Sequence, residues 1–435
     1  MTEPVVFEIN DAGLTLTRGD LVLAREPGLA LVQSRRLVFG QEAFAESRLL
    51  PRDVVDRFWW RLSQEPITLA HARVRSFADL AYFQVQALTE RLGLAGDALL
   101  AVHGGYDADQ LGLLLGLMQP QKLRAVGLVD SAVAAVSVTA GAGRYRHLDL
   151  TRHGVIVTDV EVGDEARRLD TRQVAEVGLN VLTETAAEAA AAAFLDQTRF
   201  DPMLDGAAEQ ALHDSLGGWL TALSTASEVD AEVRYRGHAY RARLTRQLVS
   251  EPLARVLTPL AALRDEDAPL LVSERLAAWP GLEAVLGEVH RVPEAAVAAA
   301  CRRHAERIVA EPPALPLITA LPADAGAAPI HRAARRGSGG RRAASEPSHL
   351  LVDAQAYALG ATPLYLVGAG EVRRARDGAA AAIHLADAGA EITALAAGVR
   401  VNGRSVTGSE PVAAGDVVTA GAATGRLIRV AEPAD

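Results

Sequence analysis

Two aspartates each stand where a turn joins two predicted strands, and each carries a carboxylate suited to a metal ion. Asp11 lies in the turn after the apolar run Val5–Ile9, and Asp149 lies at the edge of a turn within the stretch 145–161. Mg²⁺ is bound in proteins through one or two carboxylates while it keeps several waters. The sequence therefore makes Asp11 and Asp149 candidate magnesium ligands.

A third segment has the same predicted build of strands around a turn. It spans residues 270–282, and its turn, residues 273–279, contains Ser273 and Arg275. We expect the three strand-turn elements to face one another, as they do in a two-lobed clamp that grips a nucleotide.

The composition limits the class of protein. With 435 residues, of which 49% are hydrophobic, the chain is expected to form two or three domains around large cores. The single cysteine, Cys301, excludes an intrachain disulfide. Signal-peptide features are missing and no apolar run approaches the roughly 18 residues of a membrane span, which predicts a cytoplasmic protein without membrane contact. A net charge of -10 argues against nucleic acid as a partner.

Short apolar runs separated by turn signals predict the elements that position these residues. An antiparallel meander over residues 5–40 precedes helices, and the same order of strands and then helices starts again at residue 145. Ser76, with Asp79 three residues on, is the expected N-cap of one helix. The predicted helices cover residues 41–46, 76–92, 107–118, 173–200, 209–224, 246–263 and 293–309, and a hairpin covers residues 233–244.

The turn His103-Gly104-Gly105 has the composition of an oxyanion hole, in which backbone N–H groups approach a substrate closely. That chemistry also needs a nucleophile in a Gly-x-Ser-x-Gly turn, which the sequence lacks. We therefore interpret the turn as structural.

The last third of the chain changes character twice. Residues 311–348 are rich in proline, glycine and arginine, a composition that predicts a flexible basic linker. Residues 349–435 alternate strand patterns with turn residues, and Asn402-Gly403 is a hairpin signal. These patterns predict a small β-sandwich.

An ordered series of short motifs gives residues 3–310 a resemblance to the nucleotide-binding domain of DnaK-type heat-shock chaperones, in the actin and sugar-kinase superfamily. It implies an α/β, two-lobed, actin-like ATPase fold of duplicated ribonuclease H-like units. Residues 349–435 resemble a forkhead-associated domain. The first series comprises residues 9–15, 40–43, 126–135, 148–160, 200–202, 235–237, 244–246 and 279–282, and the second comprises residues 359–360, 363–364, 384, 401–403 and 414–416.

The resemblance implies two phosphate-binding loops and an adenosine loop. The family's second loop has three consecutive glycines, which let backbone N–H groups approach phosphate. Here side chains at residues 151–153 replace all three and would occupy the phosphate space. The implied nucleotide-binding residues are Asp11, Gly13 and Thr15 in the first loop (residues 11–15), Asp149, Thr151, Arg152 and Gly154 in the second loop (residues 149–154), and Ser273 and Arg275 in the adenosine loop.

The forkhead-associated resemblance implies a site for a protein partner, because these domains read phosphothreonine with arginines in their loops. The loop at residues 380–384 keeps only the histidine of the family pattern, and the preceding loop supplies three arginines that offer an anion site. The implied partner-binding residues are Arg373, Arg374, Arg376, His384 and Asn402.

Two functions remain open. The first is a non-catalytic scaffold or adaptor, a degenerate clamp that binds a protein partner through the C-terminal domain or the cleft between its lobes and needs no cofactor. The second is a divergent switch, chaperone-like or filament-like, in which Mg-ATP closes the lobes on Asp11 and Asp149. We expect no catalysis in the first case and ATP hydrolysis as the only activity in the second, because phosphoryl transfer depends on precise positioning.

Overall fold

The structure is a computed structural model that describes residues 3–69, 71–265, 268–310, 315–324 and 347–428, the last range with gaps at 353–354, 361, 368–371, 375–376, 387–388, 397, 403, 407, 413–414 and 422. The chain divides into two compact units, Met1–Ala334 and Arg335–Asp435. The first is a mixed α/β unit and the second is a strand-rich unit.

The first unit contains several sheets with helices between them. Its strands are β1 (Val5–Ile9), β2 (Leu14–Arg18), β3 (Leu21–Glu26), β4 (Ala30–Val32), β5 (Leu37–Phe39), β6 (Val54–Val55), β7 (Gly96–Val102), β8 (Leu123–Asp130), β9 (Gly143–Leu150), β10 (Val155–Val162), β11 (Glu165–Val174), β12 (Glu228–Tyr235), β13 (His238–Thr245), β14 (Leu270–Ser273), β15 (His290–Val292), β16 (Leu317–Ile318) and β17 (Ala320–Pro322). Its helices are α1 (Gly40–Phe44), α2 (Phe77–Arg91), α3 (Ala108–Met118), α4 (Ser131–Thr139), α5 (Leu179–Thr198), α6 (Gly206–Thr225), α7 (Arg246–Leu257), α8 (Glu274–Ala277), α9 (Leu282–Leu286), α10 (Ala296–Arg303) and α11 (Ala305–Ile308).

Two six-stranded sheets share one pattern of strand order. The first runs β3-β2-β1-β7-β8-β16, and the second runs β11-β10-β9-β14-β15 with β17 beside β11. In each sheet three consecutive strands form an antiparallel meander, and the next two strands continue parallel to the first strand of that meander. We refer to residues 3–139 as the first half of the unit and to residues 143–310 as the second half.

Separate hydrophobic clusters cover the sheets on their different faces. One packs the first sheet against α2 and α3, and another packs the second sheet against α5, α6 and α7. A third cluster joins both sheets through α4 and α10, whose buried residues are mainly alanine and valine. Their short side chains let two helices fit between two sheets, which holds the ends of β1 and β9 near each other.

Many sequence predictions for this unit are confirmed. Strands β1, β4 and β5 have the predicted bounds, and Ser76 caps α2 in a reciprocal pair with Asp79. The predicted hairpin is β12–β13, and its turn residues Arg236 and Gly237 both have positive φ, as a tight hairpin turn requires.

Other predictions are wrong in informative ways. Residues 165–174 form β11, where no strand was predicted, and the helix predicted to start at residue 173 starts at Leu179. Residues 270–282 form β14, then α8 and the start of α9, instead of the two strands that were predicted around a turn. The helix predicted over residues 293–309 is interrupted at His304, and α7 ends at Leu257.

Part of the segment predicted to be a linker belongs to the first unit. Strand β16 pairs in parallel with β8, and β17 pairs antiparallel to β11. The arginines and glycines of the segment, residues 332–342, lie outside the described residues.

The second unit contains strands and no helix among its described residues. The strands are β18 (His349–Val352), β19 (Gln355–Ala358), β20 (Leu364–Val367), β21 (Val372–Arg373), β22 (Ala379–Ala386), β23 (Gly389–Ala394), β24 (Val399–Val401), β25 (Arg404–Ser405), β26 (Ser409–Pro411), β27 (Val417–Ala420) and β28 (Ala423–Ile428). They form two antiparallel sheets, β19-β18-β28-β27-β24-β25 and β21-β20-β22-β23-β26, which share one hydrophobic cluster. The alternation of strand patterns with turn residues predicted the strand-rich character of this unit.

Among the helices of the described residues, none is both long enough and apolar enough to cross a membrane.

Candidate functional site

The first and second loops meet and hydrogen-bond directly to each other. Asn10, at the end of β1, donates through Nδ2 to Asp149 Oδ2 at 2.9 Å and to the Leu150 carbonyl at 3.0 Å. The backbone N–H of Arg152 donates to Asp11 Oδ1 at 2.7 Å. These bonds join the two halves of the unit, and they involve both aspartates that the sequence offered as metal ligands.

The loop threonines bond within their own loops. Thr15 Oγ1 donates to the Gly13 carbonyl at 3.1 Å, and Thr151 Oγ1 donates to the Gly154 carbonyl at 2.8 Å. The Thr151 N–H also donates to the Gly154 carbonyl, at 2.9 Å, so the second loop closes on itself as a tight turn.

Helix α5 begins against the second loop. The N–H groups of Leu179 and Asn180 donate to the carbonyls of Thr151 and Arg152 at 2.9 and 3.1 Å. A Cβ on Gly178 would lie 2.6 Å from the Arg152 carbonyl oxygen and 2.7 Å from the Gly154 nitrogen, so only glycine allows this approach. The helix N-terminus, which could otherwise attract an anion, is used by the chain's own loop.

The Arg152 side chain is partly buried near two carboxylates, those of Asp11 and Asp56. Burial lowers the pKa of its guanidinium, and the nearby carboxylates of Asp11 and Asp56 oppose that effect. Burial raises the pKa of Asp11, although the hydrogen bond from the Arg152 N–H and the charge of Arg152 both act to lower it. Arg152 therefore places a positive charge near the Asp11 carboxyl, whose pKa is nevertheless raised by burial.

Asp56 makes a second connection between the halves. Its carboxylate accepts from Asn180 Nδ2 at 2.6 Å, and its carbonyl lies 3.0 Å from His153 Nε2. The His153 ring also packs against Trp60, with 5.9 Å between ring centroids. The His153 side chain is thus used for packing and for a contact between the two halves.

Arg275 lies between two buried carboxyl groups, those of Glu8 and Asp149. Its guanidinium pairs with Glu8, and its Nε lies 3.5 Å from Asp149 Oδ1. Although burial opposes the effect, the charge of Arg275 holds the pKa of Asp149 below its ordinary value. At Glu8 burial prevails over Arg275 and raises the pKa. In return, the charges of Asp149 and Glu8 raise the pKa of Arg275 despite its burial. Asp149 thus has a protein countercharge where the sequence predicted a magnesium ion.

Two neutral histidines complete this buried cluster. Burial lowers the pKa of His103 to about 4 and lowers the pKa of His147 as well. Both rings are therefore uncharged near neutral pH. Together with Ser273, His147 lines a cavity of about 20 Å³ next to Asp149 and Arg275, which is large enough for a single water.

A larger groove of about 320 Å³ opens beside the first loop. Gly13 lines it, and the guanidinium-bearing residues Arg25 and Arg275 lie on its walls; the other lining residues are Ala12, Leu150, Leu179, Glu274, Ala278 and Glu294. Asp11, Asp149 and Gly154 do not line it. The groove therefore lacks both candidate magnesium ligands.

Arg48 forms a further link between the halves, which we call the Arg48 latch. Its guanidinium pairs with Glu184 on α5 and, through Nη1, with Glu209 Oε1 on α6 at 3.2 Å. Its N–H donates to Gln210 Oε1 at 2.9 Å, and Gln210 Nε2 donates to the Phe44 carbonyl at 3.0 Å. The segment after α1 is thereby fixed to the second half.

The structure brings together most of the residues predicted for the nucleotide site. Asp11, Asp149, Arg152 and Arg275 belong to one connected group of bonds and charges, and Ser273 lines the small cavity beside it. Gly13 stands apart, on the wall of the larger groove.

Sequence reasoning missed several members of the group. Glu8 lies in the apolar strand β1 and His147 lies in β9, and both are at least nine-tenths buried. Asp130 is fully buried at the start of α4, where it caps the helix and pairs with Arg168 at 2.8 Å. For Glu8, an ionisable residue within an otherwise apolar strand was a signal that could have found it, since such residues are buried only with partners.

The residues predicted to bind a partner are distributed over the second unit. Arg373 and His384 lie in one sheet, on β21 and β22, with β20 between them. Arg374 Nη2 is 3.4 Å from the Ala358 carbonyl, and Arg376 lies outside the described residues.

Asn402 has internal partners in the other sheet. It has a φ of 51°, its Nδ2 donates to Asp416 Oδ1 at 2.8 Å, and its Oδ1 accepts from the Val417 N–H at 2.9 Å. These bonds fix the turn after β24 to the start of β27.

A scan against models of known protein families finds no family model that matches the chain, and a search of curated proteins finds no significant match.

Proposed function

We propose that the chain is a non-catalytic scaffold built on a degenerate nucleotide clamp of the DnaK and actin type, with a forkhead-associated-like β-sandwich that binds a protein partner. The observation that carries this proposal is the direct bonding of the two loops. A nucleotide clamp needs free backbone N–H groups between its loops to receive phosphate. In this chain the Arg152 backbone N–H donates to Asp11, and the Asn10 side-chain amide closes the same gap by donating to Asp149 and to the Leu150 carbonyl.

The repeated sheet order supports the clamp ancestry. Each half starts with a three-stranded meander and adds two strands parallel to the first. Duplicated meander-and-helix units are the architecture that the resemblance to the actin superfamily implies. In the second unit, two antiparallel sheets on one core fit a β-sandwich of the forkhead-associated type.

The charges support loss of the metal site. Mg²⁺ would need carboxylates without a competing protein cation. Asp149 has Arg275 as its countercharge, whereas Asp11 accepts the Arg152 backbone N–H and its pKa is raised by burial. The Arg48 latch and the Asp56 contacts favour one fixed arrangement of the halves without a ligand.

A second candidate is a divergent Mg-ATP-dependent switch. The groove of about 320 Å³ beside Gly13 favours it, because it offers open space next to the first loop, and Arg25 and Arg275 on its walls offer guanidinium groups among the carboxylates of Glu274 and Glu294. Any hydrolysis in such a switch would require the second loop to separate from Asp11.

Thermal unfolding of the full chain with and without millimolar Mg-ATP tests the proposal. Ligand at 100 times its dissociation constant would stabilise the folded state by about 2.7 kcal/mol. We expect no shift for the native chain. A shift that Asp11→Ala or Asp149→Ala removes would overturn the scaffold proposal in favour of the switch.

A further inference from the structure

We propose that Glu184, Glu209 and His213 form a site for a zinc-type divalent cation on helices α5 and α6. Each residue offers one ligand atom, and the three atoms all lie within 4.8 Å of one another. Glu209 and His213 are four residues apart on α6, which puts them on one face of that helix, and Glu184 approaches from α5.

The buried histidine distinguishes this group from an ordinary acidic cluster. His213 is 3% exposed, and neither of its ring nitrogens has a hydrogen-bond partner among the residues that the structure describes. Its Nε2 lies 3.9 Å from Glu209 Oε1, which is too long for a hydrogen bond. A buried polar group without a partner costs about 1–3 kcal/mol. A metal ion between Nε2 and the carboxylates would remove that cost.

The distances suit zinc after small adjustments. Zn²⁺ binds imidazole nitrogen and carboxylate oxygen at about 2.0–2.2 Å, which puts neighbouring tetrahedral ligands about 3.3 Å apart. The gap of 3.9 Å between Nε2 and Glu209 Oε1 exceeds that by about half an ångström, within reach of a carboxylate rotation. An imidazole ligand favours zinc over Mg²⁺, which prefers oxygen ligands.

The site is reachable from solvent. The side chain of Glu184 is 40% exposed and that of Glu209 is 21% exposed, whereas His213 forms the buried floor. An incoming ion would meet the carboxylates first, and water would complete its coordination, as in sites with three protein ligands.

Arg48 competes for the same carboxylates. Its guanidinium pairs with Glu184 and Glu209, so a bound cation must displace it. Loss of this competitor should therefore tighten metal binding, an effect opposite to that expected for a residue that merely supports the fold.

Calorimetric titration of the tag-free full chain with ZnCl₂, and separately with MgCl₂, tests the site. The only cysteine, Cys301, is fully buried, which leaves no accessible thiol to bind zinc. We expect one zinc equivalent, weakened more than about tenfold in His213→Gln and in Glu184→Gln, and tightened in Arg48→Met. Glu188→Gln, at an exposed position one turn along α5, is the matched control and should bind as the native chain does.

Absence of zinc binding by the native chain overturns the proposal. So does binding that neither Glu184→Gln nor His213→Gln weakens. Glu184→Gln keeps the test decisive if the buried His213 variant fails to fold, because the Glu184 side chain is half-exposed.

Discussion

Removal of Arg275 should destabilise the first unit strongly. Arg275→Met keeps much of the aliphatic volume and deletes the cation that pairs with both Glu8 and Asp149, whose side chains are each 8% exposed. Loss of one partner from a buried ion pair typically costs 3–5 kcal/mol, because a charge remains buried without compensation. We expect a loss of about 3–5 kcal/mol in the free energy of unfolding of the first unit.

The loss should depend on pH in a defined direction. Without Arg275, burial raises the pKa of both carboxylates, so the folded state takes up protons more readily than the unfolded state. A group whose pKa is raised in the folded state loses its stabilising effect as pH rises through that pKa. The difference between Arg275→Met and the native chain should therefore be smallest at acidic pH and largest above the raised pKa values.

Urea unfolding across this pH range, with the transition of the first unit followed separately, measures both effects. Arg124→Met is the control, since Arg124 forms an exposed pair with Asp97 at 2.7 Å and such pairs contribute about 0–1 kcal/mol. Equal losses for the two variants, or a difference that widens toward acidic pH, would refute the assignment of Arg275 as countercharge.

Three further substitutions test neighbouring features. Gly178→Ala should destabilise the first unit by about 1–3 kcal/mol in urea unfolding, because its Cβ meets loop backbone, whereas Gly163→Ala, with nothing within 4 Å, should be neutral. Burial lowers the pKa of His213 from 6.5 to about 4, so the free energy of unfolding should fall by a few kcal/mol as the pH drops from 6.5 to 4. His213→Phe should make the free energy of unfolding less dependent on pH over that range. An unchanged pH dependence in the variant would contradict the burial of His213 as a neutral ring. Asn402→Ala should lower the free energy of unfolding of the second unit by about 0.5–1.5 kcal/mol, since the exposed side chain bonds Asp416 and Val417. An unchanged free energy of unfolding would contradict a stabilising role for these two bonds.

Local patterns were enough to predict the meander strands and the capped helices. Apolar runs of three to five residues between turn signals gave β1, β4 and β5, and the pair Ser76 and Asp79 gave the start of α2. These features depend on neighbours within a few residues. The sequence therefore contains all of the information needed to place them.

Elements that depend on distant partners were missed. Strand β11 is rich in charged residues, and its pairing with β10 and β17 makes it a strand. The segment after Ser273 was expected to return as a strand, but it forms α8 and places Arg275 against Glu8, 267 residues earlier in the chain. Periodicity in a short window does not contain such contacts.

The candidate site shows the same contrast between features set by near neighbours in the sequence and features set by distant partners. Asp11, Asp149, Arg152 and Arg275 were all named as candidates, because turn positions and the family resemblance mark them in the sequence. Their contacts with one another were not predicted, because the ion pair between Arg275 and Asp149 and the bond from the Arg152 N–H to Asp11 join residues far apart in the sequence.

Amide hydrogen exchange at Arg152 is the most direct test of the central claim that the two loops close on each other without a nucleotide. Its N–H donates to Asp11 at 2.7 Å across the two halves. The account predicts that this amide, in the nucleotide-free chain, exchanges as slowly as the core amides of β9 and β10, and that Mg-ATP leaves its rate unchanged. Fast exchange in the free chain that slows when Mg-ATP is added would contradict the account and identify the loops as a working phosphate clamp.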